Sequence, residues 1–145
     1  MNYRLDSAGP AELLAHLRAA DASFAPPLSQ RVDLAAYADK LATHARRVEA
    51  WQGDTLVGLI AMYANAPAQG GFITNVSVLP DCQGEGIAGE LLRRTLALAA
   101  ELQLRRVRLE VYADNTAALA LYRRHGFTAE AADATRPTLF LHREL

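Results

Sequence analysis

The sequence predicts an α/β fold, in which helices flank one mixed sheet within a single domain spanning residues 1–145. Hydrophobic residues recur at helical spacing in some segments and follow strand patterns in others, in the order ααβββαβαβ. The chain has 145 residues, of which 51% are hydrophobic, and no internal repeat or linker divides it. This is the size and balance of one globular domain.

The first half of the chain predicts two helices and a hairpin. Apolar residues at helical spacing predict helices over Pro10–Ala20, where the proline suits a first turn, and over Asp33–Arg46. Strands are predicted over Arg47–Trp51 and Thr55–Ala64, on either side of a Gln52-Gly53-Asp54 turn. The first half of the sheet is therefore expected to be mostly antiparallel.

The second half predicts a strand, helix, strand unit, then a short helix and a last strand. The first strand of this unit contains polar residues that are unusual for a central strand, and a proline ends it. The short helix has an asparagine as its N-cap and a glycine as its C-cap. In chain order the predicted elements are the Gly71–Leu79 strand, the Gly86–Leu102 helix, the Arg106–Tyr112 strand, the Asn115–Gly126 helix and the Thr138–His142 strand.

The charge balance excludes some classes of partner. Fifteen basic and sixteen acidic residues give a formal net charge of −1, so no global field holds nucleic acid or an anionic membrane surface. No apolar run predicts a membrane span or an export signal. We therefore expect neither a nucleic acid nor a membrane as partner.

The cysteine content excludes an intramolecular disulfide, and the histidine spacing predicts no metal site. Cys82 is the only cysteine, which excludes an intramolecular disulfide and a multi-cysteine zinc site. We expect it to be a surface thiol in a protein of the reducing cytoplasm. The four histidines lack the paired spacing of metal ligands, so we expect no metal.

A glycine-rich segment joins the third strand to the long helix. Glycines at a helix start let the backbone approach a ligand, and the unpaired N–H groups there attract anions. Gly84–Gly89 satisfies G-x-G-x-x-G, with Glu110 about twenty residues further on, as in a Rossmann dinucleotide site. Residues 80–83, however, separate the strand from the first glycine, and the chain after Gly89 is short for such a fold. A G-x-x-x-x-G-K-[ST] motif is absent, which excludes a P-loop nucleotide hydrolase.

The same segment also fits a second pattern, Gln83-x-x-Gly86-x-Ala88. With two later motifs in the same order, it resembles the GNAT superfamily of acetyl-CoA-dependent N-acetyltransferases. The resemblance implies a sheet of about six to seven strands with about four helices, and a strand ahead of the first helix. It also implies direct transfer of an acetyl group from acetyl-CoA to a primary amine in a ternary complex. The later motifs are Leu109-Glu110-Val111 and Asn115-x-x-Ala118-x-x-Leu121-Tyr122-x-x-x-Gly126-Phe127.

The resemblance further implies where acetyl-CoA would bind. The pantetheine arm would pair with the backbone of Val76, Ser77 and Val78, and the Val78 N–H would polarise the thioester carbonyl. Asn115 and Tyr122 would also contact the cofactor, although Asn115 as a simple N-cap stays an alternative. The pyrophosphate would lie on the segment formed by Gln83, Gly84, Glu85, Gly86, Ile87, Ala88 and Gly89.

Two residues are candidates for acid–base catalysis. An alkyl ammonium has a pKa of about 10.4, so a base or a water relay must take its proton, and Glu110 is the candidate base. The alternative is a surface glutamate paired with Arg108 or Arg105. Tyr122 is the candidate acid for the leaving thiolate, and its alternative is a core aromatic residue.

Acceptor binding is the least specified part of the site. Four polar residues near the centre of the sheet, Tyr63, Asn65, Thr74 and Asn75, are candidates, although a hairpin end or a β-bulge would also explain them. The acceptor is expected to be the amine of a small molecule or a peptide. Edge strands near the carboxyl terminus would allow a homodimer. Two other functions stay open: a non-catalytic CoA-binding regulatory or protein-interaction module, and a Rossmann-type NAD(P)-binding oxidoreductase fragment.

Overall fold

Seven strands and four α-helices are found in the residues that the computed structural model describes, which are 1–24, 26–131 and 135–145. Their positions follow the predicted order, with one short strand added at the start and another near the end. In chain order the bounds are β1 Asn2–Leu5, α1 Pro10–Ala20, α2 Leu34–His44, β2 Ala45–Gln52, β3 Thr55–Tyr63, β4 Gly71–Val78, α3 Ile87–Glu101, β5 Arg106–Tyr112, α4 Thr116–Arg124, β6 Thr128–Ala129 and β7 Thr138–Glu144.

All seven strands belong to one mixed sheet with the order β1-β2-β3-β4-β5-β7-β6. Only β4 and β5 pair in parallel, and every other neighbouring pair is antiparallel. The helix α3 connects these two parallel strands. The predicted mixed α/β fold is confirmed, and the sheet is not the doubly wound parallel sheet of a dinucleotide-binding fold.

Helices cover both faces of the sheet and form two cores. On one face, α1 and α2 pack their buried leucines, such as Leu13 and Leu41, against β2 and β3. On the other face, α3 contributes Leu91 and Leu92 to a larger cluster. Cys82 belongs to this second cluster and is 8% exposed, because the 3-10 turn Pro80–Cys82 directs it inward. The expectation of a surface thiol is therefore wrong, and burial raises the pKa of Cys82.

The second helix ends earlier than its periodicity predicts. It was expected to reach Arg46, but α2 ends at His44 and β2 begins at Ala45. At this end the guanidinium of Arg47, a strand residue, turns back and donates to carbonyls of the last helical turn and of the first strand residue. A cation at this end also complements the helix dipole. The carbonyls are those of Leu41, Ala42 and Ala45, at 3.0 to 3.2 Å.

The residue pattern does not predict β1 and β6, and only the resemblance implies β1. Both are short edge strands: β1 pairs with β2 alone, and β6 has two residues, Thr128 and Ala129. Strands this short and exposed leave no clear hydrophobic period. Because β6 covers β7 at Leu141 and His142, β7 is not a free edge there, and the homodimer stays a prediction.

A β-bulge in the centre of the sheet explains the polar residues of β4. The pairing of β3 with β4 shifts between Ala61, opposite Asn75, and Met62, opposite Ile73, which leaves Thr74 as the extra residue. Beyond the bulge, Asn75 and Ser77 are directed to the α1 face, and Val76 and Val78, which alternate with them, to the α3 face. No helix among the residues described has the length and hydropathy needed to span a membrane.

Candidate active site

A cleft opens between the two parallel strands at the centre of the sheet. β4 and β5 are paired only where Gly71, Phe72 and Ile73 lie opposite Val107, Arg108 and Leu109. After the bulge at Thr74 the strands separate. The carboxyl ends of both strands therefore border a gap that another extended chain could enter.

Two cavities occupy this gap. The first, of about 470 Å³, is called here the Gln83 cavity and is also lined by Val78, Tyr112 and Asn115. The second, of about 380 Å³, is called the Tyr122 cavity and is also lined by Glu110. Val76 lines both, so the two cavities follow one another along β4.

Backbone amides of β4 point into the cleft. Leu79 donates its N–H to the Val57 carbonyl of β3 at 2.8 Å. Because hydrogen-bonding directions alternate along an antiparallel strand, the amides of Ser77 and Asn75 also point to β3, and those of Val78 and Val76 point to the gap. Of the three residues expected to pair with the pantetheine arm, Val76 and Val78 present their amides to the gap, whereas the Ser77 N–H is used within the sheet.

The glycine-rich segment leaves amides available at the start of α3. Gly84 and Gly86 have φ values of +81° and +79°, and a Cβ atom at either would meet nothing within 4 Å. The first intrahelical bond is that of the Glu90 N–H to the Gly86 carbonyl at 3.1 Å, so the amides of residues 87–89 precede the helical ladder. Left-handed glycines in open space and unpaired amides at a positive helix end fit a pyrophosphate.

Two residues of the predicted pyrophosphate loop, Gln83 and Gly89, also make contacts that pack the loop against neighbouring elements. The Gln83 side-chain amide donates to the Val78 carbonyl at 3.1 Å, so it ties the loop to β4. A Cβ atom at Gly89 would lie 3.8 Å from His125 and from Leu121, so this glycine lies where α3 approaches α4. Glu85 and Ala88 lie in the loop and in the first turn of α3 as expected.

Tyr122 lies on α4 with its ring facing the core and the cavity named after it. It is 7% exposed and makes an edge contact with Phe127, with ring centroids 5.9 Å apart. Burial raises the pKa of Tyr122 to about 12. The phenol therefore stays protonated at neutral pH and is a hydrogen-bond donor beside the cleft. The two interpretations of Tyr122 as core aromatic and as cleft donor are compatible.

Glu110 lies on β5 with its carboxylate at the cleft. Thr138 of β7 donates its hydroxyl to Glu110 Oε2 at 2.6 Å, and both residues line the Tyr122 cavity. Arg108 pairs instead with Glu130, at 2.9 and 3.0 Å. The alternative in which Glu110 pairs with Arg108 is therefore not the arrangement found.

Asn115 caps α4 and lines both cavities. Its Oδ1 accepts the Ala118 N–H at 3.2 Å, and its side chain borders the Gln83 cavity and the Tyr122 cavity. Capping and contact with a ligand are therefore compatible at this position.

The acceptor candidates fall into two pairs. Thr74 and Asn75 line the Tyr122 cavity. Asn65 instead donates to the His44 carbonyl at 3.1 Å, and the ring of Tyr63 lies 5.2 Å from the Lys40 ammonium. The bulge thus brings the β4 pair to the cleft, while the pair at the end of β3 lies outside the two cavities.

The segment between α1 and α2 and the start of α2 also line the cleft, and the sequence did not identify residues of either as part of the site. Arg31 lines both cavities, with its guanidinium 5.9 Å from the centroid of the Tyr112 ring. Tyr37 of α2 donates its hydroxyl to the Thr74 carbonyl at 3.1 Å, and burial raises the pKa of Tyr37 to about 12. The segment has no periodicity, and Pro26-Pro27 marked it only as a break between helices.

The part of the chain that the structure describes contains no cluster of possible metal ligands. No group of three or more histidine, cysteine, aspartate or glutamate residues is placed to hold an ion there. The charged groups at the cleft are Glu110, Asp114 and Arg31. The arrangement thus offers amides for an anion, a carboxylate for a proton and a phenol for a leaving group.

Comparisons with solved structures agree with the fold described above. The ribosomal-protein-S18-alanine N-acetyltransferase of Escherichia coli superposes with a TM-score of 0.78 at 17% identity, covering 99% of this chain and 94% of that one. The PaiA N-acetyltransferase of Thermoplasma acidophilum, solved with coenzyme A, gives 0.75 at 14% identity over 100% of both chains. At these identities the likeness shows the fold.

Sequence comparisons show the family. A mycothiol acetyltransferase of Geodermatophilus obscurus is 42% identical over 91 residues, which are 59% of this chain and 30% of that protein. The N-alpha-acetyltransferase RimI of Mycobacterium tuberculosis is 39% identical over 127 residues, 86% of this chain and 73% of that protein. The model of the acetyltransferase (GNAT) family matches residues 12–127. The chain therefore belongs to the GNAT acetyltransferase family, as its three motifs predicted.

Proposed function

We propose that this protein transfers the acetyl group of acetyl-CoA to the α-amino group of a peptide or protein, directly and within a ternary complex. The observation that supports transfer most strongly is the cleft itself, where the outward amides of β4, the Glu110 carboxylate and the Tyr122 phenol border the same gap. The proposal assigns one half of the gap to acetyl-CoA and the other to the acceptor.

Acetyl-CoA would bind along β4. Its pyrophosphate would accept hydrogen bonds from amides of the loop that includes Gly84 and Gly86, where open space on the glycine side admits it. The pantetheine arm would pair with the outward amides and carbonyls of Val76 and Val78 as an added strand. The Val78 N–H would then stabilise negative charge on the thioester oxygen.

Proton transfer would involve two side chains. The C–N bond forms as the C–S bond breaks, and Glu110, directly or through a water, takes the proton that the amine loses. The Tyr122 phenol, with a pKa raised to about 12, is a weaker acid than a thiol of pKa about 8.5. Its role is therefore to donate a hydrogen bond to the departing thiolate, which takes its proton from solvent afterwards.

The choice of an α-amino acceptor rests on sequence similarity to one relative and on the pKa values of amines. The N-alpha-acetyltransferase RimI matches 86% of this chain at 39% identity. An α-amino group has a pKa of about 7.7 to 8.0, against about 10.4 for lysine, so much more of it is neutral at pH 7.5. Phe24, Leu28 and Phe72 give the Tyr122 cavity apolar walls that suit a small first side chain.

The unpaired thiol of Cys82 supports a location in the reducing cytoplasm.

An acceptor panel tests this proposal. CoA release would be followed with a short peptide bearing a free amino terminus, the same peptide with a blocked terminus and an internal lysine, a free amino acid and an amino sugar. The free-terminus peptide is expected to give the highest kcat/KM. A higher kcat/KM for the lysine peptide or the amino sugar would contradict the acceptor. Binding of CoA without turnover of any amine would instead indicate a non-catalytic module.

A further inference from the structure

A chain of buried side-chain hydrogen bonds joins α1 to the cleft. The His16 imidazole is 2% exposed, with Nδ1 2.8 Å from the Leu56 carbonyl oxygen and Nε2 2.7 Å from the Ser77 hydroxyl. Ser77 Oγ in turn lies 2.8 Å from the carboxamide of Asn75. Because Asn75 lines the Tyr122 cavity, the chain runs from the interior to the acceptor half of the cleft.

The hydrogens of this chain follow from what each atom can do. A carbonyl oxygen only accepts, so His16 Nδ1 carries a proton and donates it to Leu56. Burial is the larger influence on His16 and lowers its pKa, which favours the neutral ring at pH 7. A neutral ring with its proton on Nδ1 has an accepting Nε2. Ser77 therefore gives its single hydroxyl proton to His16.

The orientation of the Asn75 carboxamide follows from these proton positions on His16 and Ser77. With its proton donated to His16, Ser77 Oγ can only accept from Asn75, so the donor must be Asn75 Nδ2. The atom placed nearest to Ser77 is Oδ1, and exchanging the two ends of the carboxamide satisfies the chain without moving another atom. Asn75 Oδ1 is then turned away from Ser77 and toward the Tyr122 cavity, which Asn75 lines.

We propose that His16 and Ser77 are positioning residues for the acetyl acceptor, because they hold the Asn75 carboxamide oxygen toward the cavity, where it accepts a hydrogen bond from the attacking amine. This role rests on the proposed N-acetyltransferase function. A neutral oxygen orients an amine N–H without the strong preference for ammonium that a second carboxylate beside Glu110 would create. Asn75 thus aligns the amine, and Glu110 takes its proton.

Replacement of Ser77 by alanine removes the hydroxyl that joins His16 to Asn75. It changes the side-chain volume little and keeps the backbone amides. Ser77→Ala is expected to raise the KM for the acceptor peptide about tenfold and to leave the KM for acetyl-CoA unchanged. Thr95→Val is the matched control, because Thr95 is also fully buried and its hydroxyl donates to the Leu91 carbonyl of α3 at 2.8 Å. An equal rise in both KM values, or the same rise in Thr95→Val, would overturn the proposal.

Two variants of His16 separate positioning from packing. His16→Gln keeps one donor and one acceptor, so it is expected to hold the acceptor KM within about twofold of wild type. His16→Phe keeps a ring but neither group, and is expected to match Ser77→Ala. If His16→Gln and His16→Phe raise the acceptor KM equally, packing rather than hydrogen bonding sets the effect, and the proposal fails.

The donor and acceptor roles along the hydrogen bonds from His16 to Asn75 can be determined without an activity assay. Long-range 15N–1H correlation spectra of the folded protein at pH 7 are expected to show a neutral His16 ring protonated at Nδ1. A ring protonated at Nε2, or at both nitrogens, would overturn the assignment. Protein that shows the Nδ1 tautomer but acetylates no amine would remove the proposed function, and the positioning role with it, while leaving the hydrogen-bond chain in place.

Discussion

At the level of single residues, burial determines what the Tyr122 phenol can do. Its pKa is raised to about 12 and its ring borders the cleft, so it donates a hydrogen bond as negative charge develops on sulfur. Tyr122→Phe is expected to lower kcat about 100-fold or more and to change the KM for acetyl-CoA little. Steady-state kinetics would measure both. The control is Tyr3→Phe on β1, and an unchanged kcat in Tyr122→Phe would remove the assigned role.

His16 is expected to make stability depend on pH. Well above a pH of about 6.5 the residue is neutral in both the folded and the unfolded chain. Because burial lowers its pKa in the folded state, the unfolded chain binds a proton first as the pH falls. The free energy of unfolding then falls by up to about 1.4 kcal/mol per pH unit, until the lowered pKa is reached.

Urea unfolding between pH 7 and pH 5 would measure this dependence. His16→Gln is expected to flatten the slope, and His44→Gln, which changes an exposed histidine at the end of α2, is expected to keep it. Equal slopes in wild type and His16→Gln would contradict the assignment of the pH dependence to His16.

Some residues of the site could be predicted and others could not. Glu110, Asn115 and Tyr122 stand in short motifs with fixed neighbours, so their places on β5 and α4 followed from local sequence. His16 meets partners 40 and 61 positions away. No local pattern reports a contact of that separation, and a single histidine on an amphipathic helix gave no signal of a role.

At the level of elements, the start of α3 depends on two left-handed glycines in open space. Gly86→Ala is expected to cost about 1 to 2 kcal/mol of stability, because φ is +79° there, and to weaken acetyl-CoA binding at least about tenfold. Gly53→Ala is the matched control, since Gly53 has φ of +59° and also meets nothing within 4 Å. Calorimetry and urea unfolding would measure both effects. Equal acetyl-CoA affinity in the two variants would contradict the loop's role.

The helices were predictable because each buries one face and leaves a helical period in the sequence. The hairpin was predictable because its two strands, buried along nearly their whole length, lie on either side of a glycine turn, and the second of them is an apolar run. The bulge at Thr74 was weighed as one explanation for the polar residues of β4, but its position depends on pairing with β3. The same bulge ends the pairing of β4 with β5 near Ile73. A local irregularity of one strand therefore accompanies the opening of the cleft and directs Asn75 to the α1 face.

At the level of the whole molecule, the cleft combines parts of the chain that are far apart in sequence. The cofactor half uses β4, the loop before α3 and the start of α4, which lie in the motif-bearing part of the chain, together with the segment between α1 and α2. The acceptor half also uses that segment, and it adds α2 and the start of β7. Those three parts carry no motif, which is why the sequence predicted the cofactor more sharply than the acceptor.

Titration calorimetry of the purified protein with acetyl-CoA tests the central claim most directly, because the cleft is interpreted first of all as an acetyl-CoA site. We expect saturable binding at one site per chain, and no saturable heat with NAD in a parallel titration. Acetyl-CoA held at about 100 times its Kd should also add about 2.7 kcal/mol to the free energy of unfolding. Absence of acetyl-CoA binding, or tighter binding of NAD, would contradict the account.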